Sequence, residues 1–278
     1  MPTWHLPSQP RNSTMSIQQE YAERGYATAI DILNQDQVAY YRTALETAEA
    51  RLGSLHYKHD VQTLLKSVYE MATNSRILDA VEQIIGPNIR LYCATFVIKE
   101  AQSESFVSWH QDLTYWGLDD SEKVVSGWLA LSPATKESGC MKMIPGSHKR
   151  GQLAHSPTAA SNNVLLQGQT VSDLGTDDGV LCPLQPGQMS LHHGWTLHQS
   201  MPNRSKDRRI GLNLQFLAPS VKPTNGSKLP TSLVRGVDNY GHYIDEVPAT
   251  GEADPASMAR HKEYEAVMMQ AYKSKHSD

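Results

Sequence analysis

Up to about residue 88 the apolar positions recur three and four apart, and from Ile89 onward they alternate in steps of two. The change of period divides the chain into a helical front and a strand-rich body. In the front, Ile17, Tyr21 and Ala22 stand at helical spacing after Ser16, with Gly25 as the expected stop before a short strand over 26–30. Asn34 followed by Gln37 has the pattern of a capping box, and Val38, Tyr41, Leu45 and Ala48 mark one face of a helix running to about Arg51. Two more helices are expected over about 61–71 and 75–85, the second capped by Asn74 and closed by Gly86-Pro87. None of these carries a polar cluster, so they are expected to form a supporting layer.

The body reads as strands over 89–99, 106–110, 123–131, 180–183, 189–193, 208–218 and 232–237, with turn signals at Ser138-Gly139, Pro145-Gly146, Pro186-Gly187 and Asn225-Gly226. Many short strands behind a helical front imply a mainly β fold with helical support, its core a double-stranded β-helix, or jelly roll. The expected plan is a tail without fixed structure over 1–15 and one domain over 16–278. Within that domain the helical layer spans about 16–88, the jelly-roll core about 89–237 and a C-terminal helical segment about 254–275. The polar, aperiodic stretch from His148 to Gly179 is expected to be a loop over the mouth of the barrel.

Composition narrows the function by exclusion. A formal charge of −4 over 278 residues offers no basic stripe for nucleic acid, and no apolar run is long enough to span a bilayer. The N-terminus has neither a basic nor an apolar leader region, so a cytoplasmic location is the expectation. Cys93, Cys140 and Cys182 are too far apart for a zinc clamp and are read as reduced, small, buried residues.

Candidate chemistry centres on His110 and Asp112, two residues apart, which would share a face if both were on one strand. Two histidines and one carboxylate on one face of a metal, with the other positions open, is the ligand set of non-haem Fe(II) oxygenases. The stretch from Leu191 to Ser200 offers three further imidazoles: His192, His193 and His198. Downstream, Arg209, Gly211, Asn213 and Gln215 alternate with Ile210, Leu212, Leu214 and Phe216. With the apolar set against a packed layer, Arg209 faces inward, while Arg208 faces out. A buried guanidinium needs an anionic partner, which a dicarboxylate such as 2-oxoglutarate would provide. Gln111, Tyr115 and Asn213 could touch substrate or bond the sheet. Trp128 is expected in the core, and Arg235 could meet either an anionic substrate or solvent.

From about Tyr21 to Val237 the chain resembles the phytanoyl-CoA dioxygenase family of Fe(II)/2-oxoglutarate-dependent oxygenases. The family's His-x-Asp, distal His, Ser two residues later and Arg eleven residues later fall on His110, Asp112, His198, Ser200 and Arg209. The resemblance implies that His110, Asp112 and His198 hold Fe(II), and that Arg209, Ser200 and Trp116 contact 2-oxoglutarate. It leaves His192 and His193 as core or supporting residues. It also implies use of O2 to hydroxylate an unactivated C–H bond of a small or medium metabolite, with release of succinate and CO2. Related halogenases carry Ala or Gly where Asp112 stands, so halogenation is not expected. A desaturase or cyclase of the same family, or a cupin-like metal-binding protein that is no oxygenase, is the alternative. A polar metabolite is preferred over a coenzyme A ester, because no basic cluster for the coenzyme's phosphates is evident.

Overall fold

The computed structural model describes residues 15–275 except 159, 161, 166–168, 172–173 and 175–178, and of 272–275 the backbone alone. The tail expected over 1–15 therefore falls outside the described residues but for Met15. The helical front begins with α1 (Ile17–Arg24), followed by β1 (Tyr26–Asp31) and α2 (Gln35–Leu52). Reciprocal capping boxes start both helices: Ser16 pairs with Gln19, and Asn34 with Gln37. The helix expected over 61–71 is instead a single 3-10 turn, Val61–Thr63, followed by α3 (Lys66–Ala72). Its continuity is lost because Leu65 is extended and bridges to Glu252, and the Lys66 N–H donates to Gly251 O at 3.1 Å. The fourth helix, α4 (Ser75–Ile85), stands where its Asn74 cap and apolar spacing place it.

Thirteen strands and two helices complete the described chain: β2 (Ile89–Lys99), β3 (Val107–His110), α5 (Leu113–Trp116), β4 (Val124–Ala130), β5 (Met141–Met143), β6 (Ser156–Pro157), β7 (Gln169–Thr170), β8 (Val180–Cys182), β9 (Gln188–His192), β10 (His198–Ser200), β11 (Arg209–Leu217), β12 (Pro230–Arg235), β13 (Ile244–Asp245) and α6 (Pro255–Lys275), with β1 counted among the strands. Seven strands form a large sheet in the order β1-β9-β4-β11-β2-β12-β13, and four form a small one in the order β3-β10-β5-β8. This is the double-sheet jelly roll that the strand pattern implies. The three-residue strands β5 and β10 were not anticipated, since so short a run shows no alternation.

The large sheet has two unlike faces. Ile210, Leu212, Leu214 and Phe216 of β11 pack with Ala94, Phe96 and Ile98 of β2 against residues of α2, α3 and α4, and all are buried in one core. The intervening residues Arg209, Asn213 and Gln215 of β11, with Cys93, Thr95 and Val97 of β2, line a cavity between the sheets. The register thus does two jobs at once: one set of residues binds the helical layer, and the other furnishes the cavity. Strand β12 is held to α4 by Arg235, which pairs with Asp79 at 2.8 Å and Glu82 at 2.7 Å. Arg235 is thereby committed away from the cavity, so its possible role with an anionic substrate does not hold.

Gly211 lies on the cavity face because Trp128 of the neighbouring strand lies over it. A Cβ there would come within 1.9 Å of the Trp128 ring, which also flanks the Arg209 guanidinium with 5.1 Å from Cζ to the ring centroid. Gly211→Ala is expected to displace the ring and lower stability by about 1–3 kcal/mol, the usual cost of overpacking. Urea unfolding of the two proteins measures the difference.

Candidate metal centre and active-site cavity

His110 ends β3 and faces His198 of β10 as its direct cross-strand partner. The two imidazole rings stand 4.1 Å apart between centroids. Each ring is set by its own backbone: His110 Nδ1 lies 2.8 Å from Ser108 O, and His198 Nδ1 lies 3.0 Å from Thr196 O. A carbonyl oxygen only accepts, so Nδ1 carries the proton in both rings and the lone pair of each Nε2 is directed elsewhere. Both lone pairs meet at Asp112. Its Oδ1 is 3.4 Å from His110 Nε2 and 3.7 Å from His198 Nε2. The second oxygen, Oδ2, accepts from the Ser126 hydroxyl at 2.7 Å and lies 3.2 Å from His192 Nε2. One carboxylate oxygen is thus held by the protein and the other is turned toward the two histidines. The ligand atoms of His110, Asp112 and His198 lie within 4.8 Å of one another, close enough to share one cation.

Asp112 reaches this position by a route other than strand alternation. The strand stops at His110, and Asp112 has helical dihedrals, φ −59 and ψ −46, at the start of α5. The turn is pinned from the distal side, where Leu113 N–H donates to Gly194 O at 3.1 Å and the Leu113 side chain occupies the space over Gly194. The Gly194-Trp195 turn therefore orders both the approach of Asp112 and the entry into the strand that carries His198.

The electrostatics suit a cation. Burial alone would raise the Asp112 carboxyl, but His198, His110 and His192 together hold it well below the usual carboxylate range. Burial, and then the neighbouring His110, pulls His198 down to about 3, so its imidazole is neutral at physiological pH. An ionised carboxylate and a neutral imidazole are the forms in which these groups bind a metal.

The cavity beside this centre has a volume of about 500 Å³, within the ordinary range of small-molecule sites. Trp116, Ser200 and Arg209, the residues that the family resemblance points to, all line it. Arg209 is 1% exposed, and Nη1 donates to Gly139 O at 3.1 Å, whereas Nε and Nη2 have no hydrogen-bond partner among the described residues. Burial pulls the guanidinium down to about 10, still fully charged at neutral pH. A buried, singly satisfied guanidinium with no ion pair among the described residues fits a bound carboxylate. Arg208 is committed outside, to Glu49 at 2.9 Å and Glu100 at 3.0 Å.

Several expectations need refinement. Trp128 is core in burial, yet it also lines the cavity and flanks Arg209. His192 supports Asp112, and His193 sits outside the cavity lining, 3.3 Å from Glu122. Gln111 is structural: its side chain bonds Gly151 O, Trp195 O and Leu153 N, each at 2.8 Å, tying the loop after β5 to the site. Tyr115 and Asn213 do line the cavity. The helical front is more than support, since Tyr57 and His59 enter the cavity wall from the segment after α2. Nearby Asp60 and Gln62 join Glu246 in a buried polar network, with Gln62 Nε2 3.1 Å from Glu246 Oε2. Tyr57 is left-handed at φ 55, a conformation that no periodicity announces. The C-terminal helix closes the cavity through Met268, Met269 and Ala271. Of the 148–179 stretch, Leu165 is a lining residue, while much of the expected loop lies outside the described residues.

Fold and site together define a non-haem iron, 2-oxoglutarate-dependent oxygenase. The phytanoyl-CoA dioxygenase family model matches residues 21–211, and the chain belongs to that family. Among its relatives, a probable alpha-ketoglutarate-dependent hypophosphite dioxygenase of Stutzerimonas stutzeri is 25% identical over 250 residues, covering 81% of this chain and 82% of the relative. A 1-deoxypentalenic acid 11-beta-hydroxylase of Streptomyces arenae is 24% identical over 211 residues, covering 67% and 74%. The solved structure of the non-heme monooxygenase ThoJ, in its apo form, superposes with a TM-score of 0.81 at 25% identity, covering 93% of this chain and 98% of the other.

His198→Ala is expected to abolish stoichiometric Fe(II) binding, whereas His193→Ala retains it. Metal content after anaerobic reconstitution distinguishes the two, and equal loss in both would overturn the assignment of the distal ligand.

Proposed function

We propose that this chain hydroxylates an unactivated C–H bond of an uncharged small or medium molecule, with Fe(II) held by His110, Asp112 and His198. Arg209, Ser200 and Trp116 would seat 2-oxoglutarate. The observation that carries this reading is the buried Arg209, whose Nε and Nη2 have no partner among the described residues, in the same cavity as the three ligands. A zinc hydrolase could use the same ligand set but gives no reason for that arginine. When bound, Fe(II) with 2-oxoglutarate and O2 supplies an oxidant able to take hydrogen from an unactivated C–H bond, yielding succinate and CO2.

The chain's own contribution is placement. Ser126 and His192 hold one oxygen of Asp112, so the carboxylate presents a single fixed atom to the metal. Trp128 shields one side of the Arg209 guanidinium from water, which strengthens its attraction for a carboxylate. No acid or base of tuned pKa is needed at the reacting carbon. Tyr92, Leu229, Met268 and Met269 give the cavity lining an apolar and aromatic part, and Asn213, Gln215 and Asn225 add neutral polar groups.

The lining also bears on the substrate. Asp112 and Arg209 are the only carboxylate and the only cationic Lys or Arg that line the cavity among the described residues. Both are engaged in the proposed cofactor site, so no fixed charge remains to recognise an ionised substrate. This favours an uncharged small or medium molecule, and it disfavours a polyanionic coenzyme A ester.

The test is release of succinate stimulated by candidate substrates, with mass analysis of the product. A gain of one oxygen, with no halogen incorporated in excess chloride, supports hydroxylation. A loss of two hydrogens redirects the chemistry to desaturation or ring closure, and a chlorinated product overturns the role given to Asp112. Arg209→Ala is expected to raise the 2-oxoglutarate requirement about a hundredfold, as loss of a buried charge-assisted pair does. Arg208→Ala should leave it nearly unchanged.

A further inference from the structure

Strand alternation places Lys99 on the cavity face of β2, after Cys93, Thr95 and Val97, and the sheet register sets it directly beside Arg209. It is 1% exposed and forms no ion pair with a carboxylate among the described residues. Two buried cations side by side repel each other, so something must hold Lys99 there. Its Nζ lies 2.9 Å from Ser200 O and 2.7 Å from Ser200 Oγ, and it also donates to Met201 O. An ammonium has three N–H donors and no acceptor, and three oxygens receive them.

This arrangement constrains Ser200. A hydroxyl has one hydrogen and two lone pairs; with one lone pair turned to Lys99, its hydrogen must be directed away from Nζ. Ser200 is itself 3% exposed and lines the cavity that Arg209 lines. Were Lys99 neutral, the amine could accept that hydrogen instead, and the hydroxyl would turn its back on the cavity. Burial, then the Arg209 charge, pulls the ammonium down to about 6, so the charged form at neutral pH depends on the three oxygens around Nζ, which the two N–H groups of an amine could not all satisfy. A carboxylate seated on Arg209 cancels the repulsion between the two cations and favours the charged form further.

We propose that Lys99 is a positioning residue for the co-substrate: by donating to Ser200 Oγ it fixes the Ser200 hydroxyl as a hydrogen donor into the cavity, beside Nε and Nη2 of Arg209. The inference rests on the reading that this end of the cavity binds 2-oxoglutarate. Lys99 itself does not touch the ligand; it acts through Ser200.

A double-mutant cycle tests this. The dissociation constant of 2-oxoglutarate is measured by anaerobic calorimetry on Fe(II)-loaded wild type, Lys99→Met, Ser200→Ala and the double variant, with melting temperature and iron content confirming folding. Each single change is expected to weaken binding about tenfold, the usual loss of one hydrogen bond to a charged group, and the double variant should also be about tenfold weaker. A loss near a hundredfold in the double variant, or unaltered binding by Lys99→Met, would overturn the proposal. If Lys99→Met does not fold, the cycle is run with Lys99→Gln, where non-additive losses again support the coupling and additive ones contradict it. Wild type that fails to bind 2-oxoglutarate contradicts the proposed function itself, whereas wild type that binds it with additive losses contradicts only the role of Lys99.

Discussion

A guanidinium buried without a counter-ion among the described residues is the constraint around which this molecule is built. Arg209 lies inside the barrel because the apolar residues Ile210, Leu212, Leu214 and Phe216 must meet the helices, and strand geometry leaves it no other face. The helical front therefore matters to the chemistry although most of it is remote from the site. Reversing the register by one residue would expose the apolar set and exchange Arg209 for Arg208. Arg208 is itself anchored outside by Glu49 and Glu100, so the two adjacent arginines fix the register from both sides.

The two sheets divide the labour. His110 and His198 come from the small sheet, where β3 and β10 are direct neighbours, while Arg209, Trp128 and Ser126 come from the large one. Asp112 bridges them: it belongs to the turn after β3 and is held by Ser126 of β4 and His192 of β9. The candidate metal centre therefore also joins the two sheets across the cavity. Its geometry depends on packing as remote as the contact of Leu113 with Gly194.

Much of this was legible in the sequence because period and spacing are local signals. The capping box at Asn34, the long strands β2 and β11, and the inward face of β11 all follow from residues within a few positions of one another. The features that escaped depend on contacts between distant segments. Leu65 leaves its helix because it pairs near Glu252, and Tyr57 reaches the cavity from a left-handed turn. Met268 and Met269 become cavity wall only when the C-terminal helix docks on the barrel. Lys99 is an intermediate case. It was passed over in the sequence, although alternation from Cys93 through Thr95 and Val97 is a local signal that points it inward; its meaning emerges only from the pairing of β2 with β11 and from the oxygens of Ser200 and Met201.

The account stands or falls on whether iron and a 2-oxoacid occupy this cavity together. The most direct measurement is the visible spectrum of the purified chain under anaerobic conditions, recorded with Fe(II) alone and after addition of 2-oxoglutarate. A weak charge-transfer band that needs both components, and that is absent from the His198→Ala protein, is the predicted result. No such band in the wild-type protein, together with tight retention of zinc, would contradict it.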